Sequence, residues 1–288
     1  MKEIVVLSGK GGTGKTSIVG SFAALAENKV LADCDVDAAD LHLLLRPTLK
    51  ERHEFWSGQV ACIDEEICTQ CGICQTECRF DAIKGFRVDP LACEGCGFCS
   101  RVCPEKCIAM KDNMAGHWFI SETRYGPLVH ARLGIAQENS GKLVTVVRNN
   151  ARLIAQDRNL DCIIVDGPPG IGCPVISSLS GVNLVLLVTE PTLSGLHDLE
   201  RIVGLCEHFG VPSLVCINKY DLNQDNSRRI AEYCRSQSIE VASQIPFDRT
   251  VIEALVKGMP IVEYSRNGVA QRIEALWETI SMRLRVSE

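Results

Sequence analysis

The sequence predicts an α/β chain built on a doubly wound, mainly parallel sheet, with a small α+β insert. Three observations carry this. An aliphatic strand near the N-terminus runs straight into a glycine-rich turn and a helix-like stretch. Further apolar strands end in polar residues (Asp33, Asp166, Asn218), and helical periodicity from Leu193 to His208 separates two of them. Between Cys62 and about Lys111 that rhythm stops and cysteines crowd in. A chain of 288 residues, 46% hydrophobic, can bury one large α/β core plus a small one.

The opening element is Ile4-Val5-Val6-Leu7-Ser8 followed by Gly9-Lys10-Gly11-Gly12-Thr13-Gly14-Lys15-Thr16-Ser17. Gly9, Gly14, Lys15 and Thr16 satisfy the phosphate-loop pattern G-x-x-x-x-G-K-[ST] in the strand–loop–helix context that it requires. Glycines let backbone N–H groups turn toward phosphate oxygens, and the helix N-terminus adds partial positive charge. Lys15 would reach the β- and γ-phosphates, and the Thr16 hydroxyl would hold Mg²⁺.

Lys10 adds a second signal. The run from Lys10 to Thr16 resembles the deviant phosphate loop of the MinD/ParA/Mrp ATPases, a family that includes the nitrogenase iron protein. The resemblance implies ATP as the nucleotide. It also implies that Lys10 reaches across a nucleotide-sandwich dimer, formed with a second copy or a similar subunit, to the partner's phosphates. Val30 to Asp35 reads as a second buried strand in a right-handed βαβ unit. There the resemblance implies that Asp35 orients the attacking water and that Asp33 lies nearer the metal. The sequence alone leaves the choice among Asp33, Asp35, Asp37 and Asp40 open.

Cys68, Cys71, Cys74 and Cys78 have C-x₂-C-x₂-C-x₃-C spacing, and Cys93, Cys96, Cys99 and Cys103 repeat it 25 residues later. Ile83 is echoed by Ile108. This internal duplication has the form of a bacterial two-cluster ferredoxin, in which the fourth cysteine of each run ligates the other cluster. That resemblance implies two [4Fe-4S] clusters, one on Cys68, Cys71, Cys74 and Cys103, the other on Cys93, Cys96, Cys99 and Cys78. Paired zinc sites are the structural alternative, but zinc usually takes two CxxC pairs. Cys103 precedes Pro104 as the pattern asks, whereas Cys78 precedes Arg79. Cys62 and Cys107 fall outside both frames and read as ordinary buried thiols. The expected organisation is a nucleotide domain over 1–61 and 112–288, interrupted by the ferredoxin-type insert over 62–111.

Beyond the insert, Tyr125 to Leu133 and Lys142 to Arg148 read as strand-rich segments joined by an Asn139-Ser140-Gly141 turn, and Ala151 to Arg158 as a short helix. Cys162 to Gly170 is an apolar run ending in Asp166-Gly167-Pro168-Pro169-Gly170, where open α/β sheets gather their ligands. It is similar to the Walker B and switch II segment of the Mrp branch. That similarity implies a water-mediated Mg²⁺ contact for Asp166 and γ-phosphate sensing by the Gly170 amide. Cys173 lies just past it and reads as a thiol, because no cysteine between Cys107 and Cys162 supplies the second ligand that a shared cluster would need. Asn218-Lys219-Tyr220-Asp221 matches the guanine-reading N-K-x-D formally, yet the family resemblance assigns Asn218 to adenine. Gln244 to Asp248, with Pro246 and Asp248, resembles the second base-side loop. Val269, Ile273, Leu276, Trp277, Ile280 and Leu284 form one helical face, expected to dock on the sheet rather than on a membrane.

A net charge of −6 leaves no footprint for non-specific nucleic-acid binding. No apolar run approaches a membrane span. Sixteen cysteines with no signal-peptide pattern point to metal or redox chemistry in the reducing cytoplasm. The expected function is an ATPase coupling a nucleotide-dependent dimer cycle to electron transfer toward a redox partner protein. The alternatives are an iron–sulfur carrier or assembly ATPase of Mrp type, and a MinD/ParA-like positioning ATPase that uses the insert for docking.

Overall fold

The computed structural model describes residues 1–134, 140–266 and 268–286. The chain forms two compact units: the first comprises Met1–Arg52, Phe119–Ala131 and Ser140–Glu288, the second His53–Trp118 and Arg132–Asn139.

In chain order, β1 (Lys2–Ser8), α1 (Lys15–Leu25), β2 (Lys29–Asp33) and α2 (Leu41–Leu45) open the first unit. The chain passes into the second with β3 (Thr48–Ile63), α3 (Ile73–Thr76), β4 (Ile83–Lys84), β5 (Arg87–Val88), α4 (Phe98–Val102) and β6 (Ile108–Thr123). It then continues through β7 (Gly126–Leu133), α5 (Ser140–Asp157), β8 (Cys162–Pro169), α6 (Cys173–Leu179), β9 (Leu184–Thr189), α7 (Leu193–His208) and β10 (Ser213–Asn218). The last elements are α8 (Gln224–Ser236), β11 (Glu240–Ile245), α9 (Arg249–Lys257), α10 (Ile261–Tyr264) and α11 (Gly268–Val286).

In the first unit the strands lie in the order β11-β10-β9-β1-β8-β2-β7-β6. The pairs from β11 through β7 are all parallel. Parallel strands buried on both faces need continuous aliphatic runs, and β1, β2, β8 and β9 supply them. One core cluster joins Ile4, Val6, Ile18, Phe22, Leu31, Ile164 and Leu186 to the helices. The C-terminal helix α11 closes that core: Val269, Ile273, Leu276, Ile280 and Leu284 are buried, and Trp277 packs 5.0 Å from Phe22. No helix among the described residues is long and apolar enough to cross a membrane.

One expectation is overturned. Lys142 to Arg148 is not a strand but the first half of α5, which also contains Ala151 to Asp157. The run Val144-Thr145-Val146-Val147 imitates a strand. Burial of Leu143, Val144, Val147, Ala151 and Ala155 follows the helical period instead. Ser140 and Gly141 begin this helix, and Asn139 of the expected turn lies outside the described residues.

In the second unit β6 runs beside β3, and β4 pairs with β5 antiparallel. The 25-residue repeat is present in the backbone as well as in the cysteines. Gln70 and Gly95 (φ 56° and 64°), Gly72 and Gly97 (82° and 68°), and Asp81 and Lys106 (51° and 52°) share left-handed conformations pair by pair. Gly72 precedes α3 as Gly97 precedes α4. The N–H of Asp81 bonds the Cys78 carbonyl at 3.3 Å, as that of Lys106 bonds Cys103 at 3.3 Å.

Candidate functional site

The phosphate loop joins β1 to α1. Gly14 takes φ +92°, and a Cβ there would lie 2.3 Å from Asn218 Nδ2, so only glycine fits. A Cβ on Gly9 would collide with Asp198 of α7 at 2.2 Å. Gly12 is also left-handed, and nothing crowds Gly11. Thr13 and Lys15 are buried, while Thr16 and Ser17 are half-buried in the first turn of α1.

Lys15 is the electrostatic centre. Its Nζ lies 2.6 Å from Asp166 Oδ1 and 3.6 Å from Asp35 Oδ2. Burial opposes the ammonium charge, but Asp166, Asp35 and Asp33 outweigh it and raise the Lys15 pKa. Asp33 ends β2 and pairs in register with Asp166 of the adjacent β8, which runs on to Pro169. Asp33 is fully buried, and its two oxygens accept the Asp35 and Leu41 N–H groups, each at 3.2 Å. Burial, then Asp166, pushes its carboxyl well above the ordinary range. Asp35 is raised for the same first reason. Asp166 Oδ2 and Thr13 Oγ1 are buried without a hydrogen-bond partner. An orphaned carboxylate oxygen beside the Thr16 segment is a donor set that suits a hard cation such as Mg²⁺.

The Gly170 amide, at φ +87°, donates to the Ser8 carbonyl at 2.8 Å. This N–H is therefore committed to the backbone of β1. Lys10 lies 2.6 Å from Glu190 Oε1 and also donates to Thr192 (3.2 Å) and Ser194 (3.1 Å). Lys219 bonds the Gly12 carbonyl at 2.9 Å and the other Glu190 oxygen at 3.3 Å. Sequence reasoning missed Glu190 and Thr192. The available signal was their position just past the C-terminal end of β9, on the ligand edge of a parallel sheet.

Beside the loop lies a cavity of about 200 Å³ lined by Gly12, Gly14, Ser17, Asn218, Lys219 and Pro246, with Ile245, Phe247 and Asp248. Asn218 Nδ2 donates to the Thr13 carbonyl at 2.7 Å, while Asp248 caps α9 through Thr250 N–H. Asp221 accepts the Phe247 N–H at 2.7 Å, so this carboxylate fixes the loop that follows β11.

The second unit sorts its cysteines into two hollows. One is lined by Cys68, Cys71, Cys74, Cys103 and Cys107, the other by Cys78, Cys93, Cys96 and Cys99. The latter has about 380 Å³ and the former about 10 Å³. Each receives one cysteine from the opposite repeat. Among the described residues no three His, Cys, Asp or Glu side chains converge on a point as a single ion would require. Cys62 is half-buried and lines neither hollow, and Cys173, the first residue of α6, is exposed.

A family model for the CobQ/CobB/MinD/ParA nucleotide binding domain matches residues 4–261. An uncharacterized protein of Methanocaldococcus jannaschii is 32% identical over 281 residues, covering 96% of each chain. The septum site-determining protein MinD of Thermotoga maritima is 24% identical over 98% of this chain and 87% of its own. The structure of the septum site-determining protein MinD complexed with Mg-ADP, from Pyrococcus horikoshii, superposes with a TM-score of 0.59 at 17% identity, covering 100% of this chain and 98% of that one. The phosphate loop, the paired aspartates Asp33 and Asp166 and the match over most of its length agree: the chain belongs to the CobQ/CobB/MinD/ParA nucleotide-binding family.

Proposed function

We propose that the chain is a Mg²⁺-dependent, ATP-hydrolysing switch. Its insert, centred on 62–111 between nucleotide-domain segments 1–61 and 112–288, would hold two [4Fe-4S] clusters, and nucleotide turnover would gate one-electron transfer to a partner protein. The observation that carries this reading is the crossed sorting of eight cysteines into two four-thiol sets, Cys68/Cys71/Cys74/Cys103 and Cys78/Cys93/Cys96/Cys99. Mononuclear sites need thiols converging on one point, whereas a cubane needs them around a cavity. The Cys78/Cys93/Cys96/Cys99 hollow has that room at about 380 Å³, and the Cys68/Cys71/Cys74/Cys103 hollow, at about 10 Å³, would have to open around its cluster. The glycine and left-handed turns at 72, 81, 97 and 106 suit such wrapping. Bound clusters would supply one-electron chemistry.

In the nucleotide site, Lys15 would exchange Asp166 for the β- and γ-phosphates, and Asp166 and Thr16 would hold Mg²⁺, which would supply charge neutralisation at the phosphates. Asp35, half-buried beside Lys15, orients the attacking water, with Asp33 behind it bracing the loop by its two backbone bonds. The commitment of Asp221 to Phe247 N–H favours adenine over guanine. Lys10 exchanges Glu190 for a partner's phosphates in an ATP-dependent dimer of two copies, or with a similar subunit.

A second reading is favoured by the relatives, since several are named septum site-determining proteins. In it the ATPase positions a cargo and the insert serves for docking. An iron–sulfur carrier stands third, because complete ligand sets favour retention over export.

The test is anaerobic purification followed by EPR-monitored potentiometry without nucleotide, with Mg-ADP and with a non-hydrolysable Mg-ATP analogue. We expect about eight irons per chain and a nucleotide-dependent shift in one potential. Full iron with unchanged potentials in all three states would overturn gating of potential and favour the positioning reading.

A further inference from the structure

The repeat aligns Cys78 with Cys103, Ile83 with Ile108, and Ala82 with Cys107, each 25 residues apart. Ala82 and Cys107 are both buried, and each lines its own hollow. They leave the backbone from matching geometry: Asp81 and Lys106 share φ near 51°, and both precede the position after equivalent turn hydrogen bonds of 3.3 Å. Cys107 is further fixed by its carbonyl, which accepts the Asp64 N–H at 2.8 Å. Where one repeat carries a methyl group, the other therefore carries a thiol. Its Sγ lies 3.4 Å from Cys103 Sγ.

We propose that Cys107 is a positioning residue that donates an S–H···S hydrogen bond to the Cys103 sulfur and makes the two iron–sulfur sites unequal in reduction potential. This rests on the two-cluster reading. A ligating cysteine is a thiolate with no proton to give, so Cys107 must be the donor. Sulfur ligands gain electron density when their cluster accepts one electron. A donor on such a sulfur thus stabilises the reduced state more than the oxidised state and raises the potential. The site on Cys68, Cys71, Cys74 and Cys103 is the more easily reduced. The site on Cys78, Cys93, Cys96 and Cys99 faces the Ala82 methyl and lacks this donor. An electron entering the unit settles first beside Cys107.

The experiment uses the full chain as the anaerobically purified holoprotein. Iron and acid-labile sulfide are counted first, and both potentials are then titrated with dithionite under EPR. Cys107→Ala should keep the full iron count and lower one potential only, by about tenfold in the reduced-to-oxidised ratio, or 59 mV for one electron. Cys107→Ser, which retains a donor, should stay near wild type. Ala82→Cys should raise the other potential and bring the two together. Two unmoved potentials in a fully loaded Cys107→Ala protein, or equal shifts in both, overturn the proposal while leaving the two-cluster reading intact. A wild-type protein without two clusters overturns both.

Discussion

Lys15 in the first unit sits against Asp166 and Asp35, with the Asp33 oxygens bonded to backbone and Asn218 bonded across the loop. The eight repeat cysteines of the second unit surround hollows, over a core cluster of Ala61, Cys74, Ile83, Cys107 and Ile108. Two of those five are themselves cysteines. The first site is held by contacts already made among its own side chains, one lysine facing three carboxylates. The second is held by turns and has little apolar material to bury. A nucleotide would exchange with contacts already in place, whereas metal would supply much of the folding energy.

The sharpest way to break this contrast is iron removal. Chelation should unfold 53–118 while the first unit keeps its cooperative melt, read by limited proteolysis and circular dichroism. A chelated protein that still protects 53–118 from protease would show that the hollows stand without metal. Next in size, Lys15→Ala strands Asp166, Asp35 and Asp33 without their cation. We expect loss of about 3–5 kcal/mol in denaturant unfolding of the nucleotide-free protein. ATP hydrolysis should fall by about 100-fold or more. The iron content should not change.

A third test exploits His130, which lies beside His42 and Phe119 and within 3.0 Å of the Ser121 hydroxyl in the first unit. Burial, then the His42 ring, pushes its pKa down from 6.5 to about 4. The unfolded chain takes up this proton near pH 6.5 and the folded chain resists until about 4. Stability is therefore complete above pH 6.5 and falls through that window, by about 3 kcal/mol. His130→Asn should flatten this part of the pH–stability curve, measured by urea unfolding. Smallest, Asp221→Asn should lower ATP affinity by about fivefold or less and leave the preference over GTP unchanged, since the side chain holds Phe247 rather than a base. A selective gain or loss of GTP binding in calorimetry would return Asp221 to base reading.

How far the sequence alone reached follows the same division. The phosphate loop and the aspartates Asp33 and Asp166 were legible because a parallel sheet writes buried strands as aliphatic runs and gathers ligands toward their C-terminal ends, although β8 runs three residues past Asp166. The cysteine duplication was legible from spacing, and its left-handed turns at Gly72 and Gly97 carry glycine. The equivalent turns at Asp81 and Lys106 carry no such mark. The Lys142–Arg148 stretch failed because β-branched residues imitate a strand locally, whereas tertiary burial decides for the helix. Arg148 shows what local pattern hides: it is buried against Glu3 of β1 and bonds the Ser177 and Ser180 carbonyls, a network visible only after folding. Glu190 escaped for a similar reason, since its partners Lys10 and Lys219 lie 180 and 29 residues away.

The exchange of one cysteine between the repeats has a consequence for heredity. Cys103 completes the hollow of the first repeat, and Cys78 that of the second. Neither half is a self-sufficient ancestor of the other in its present form, and a deletion of either 25-residue block removes cysteines from both hollows. Such a unit can be gained, lost or transplanted between chains only as a whole.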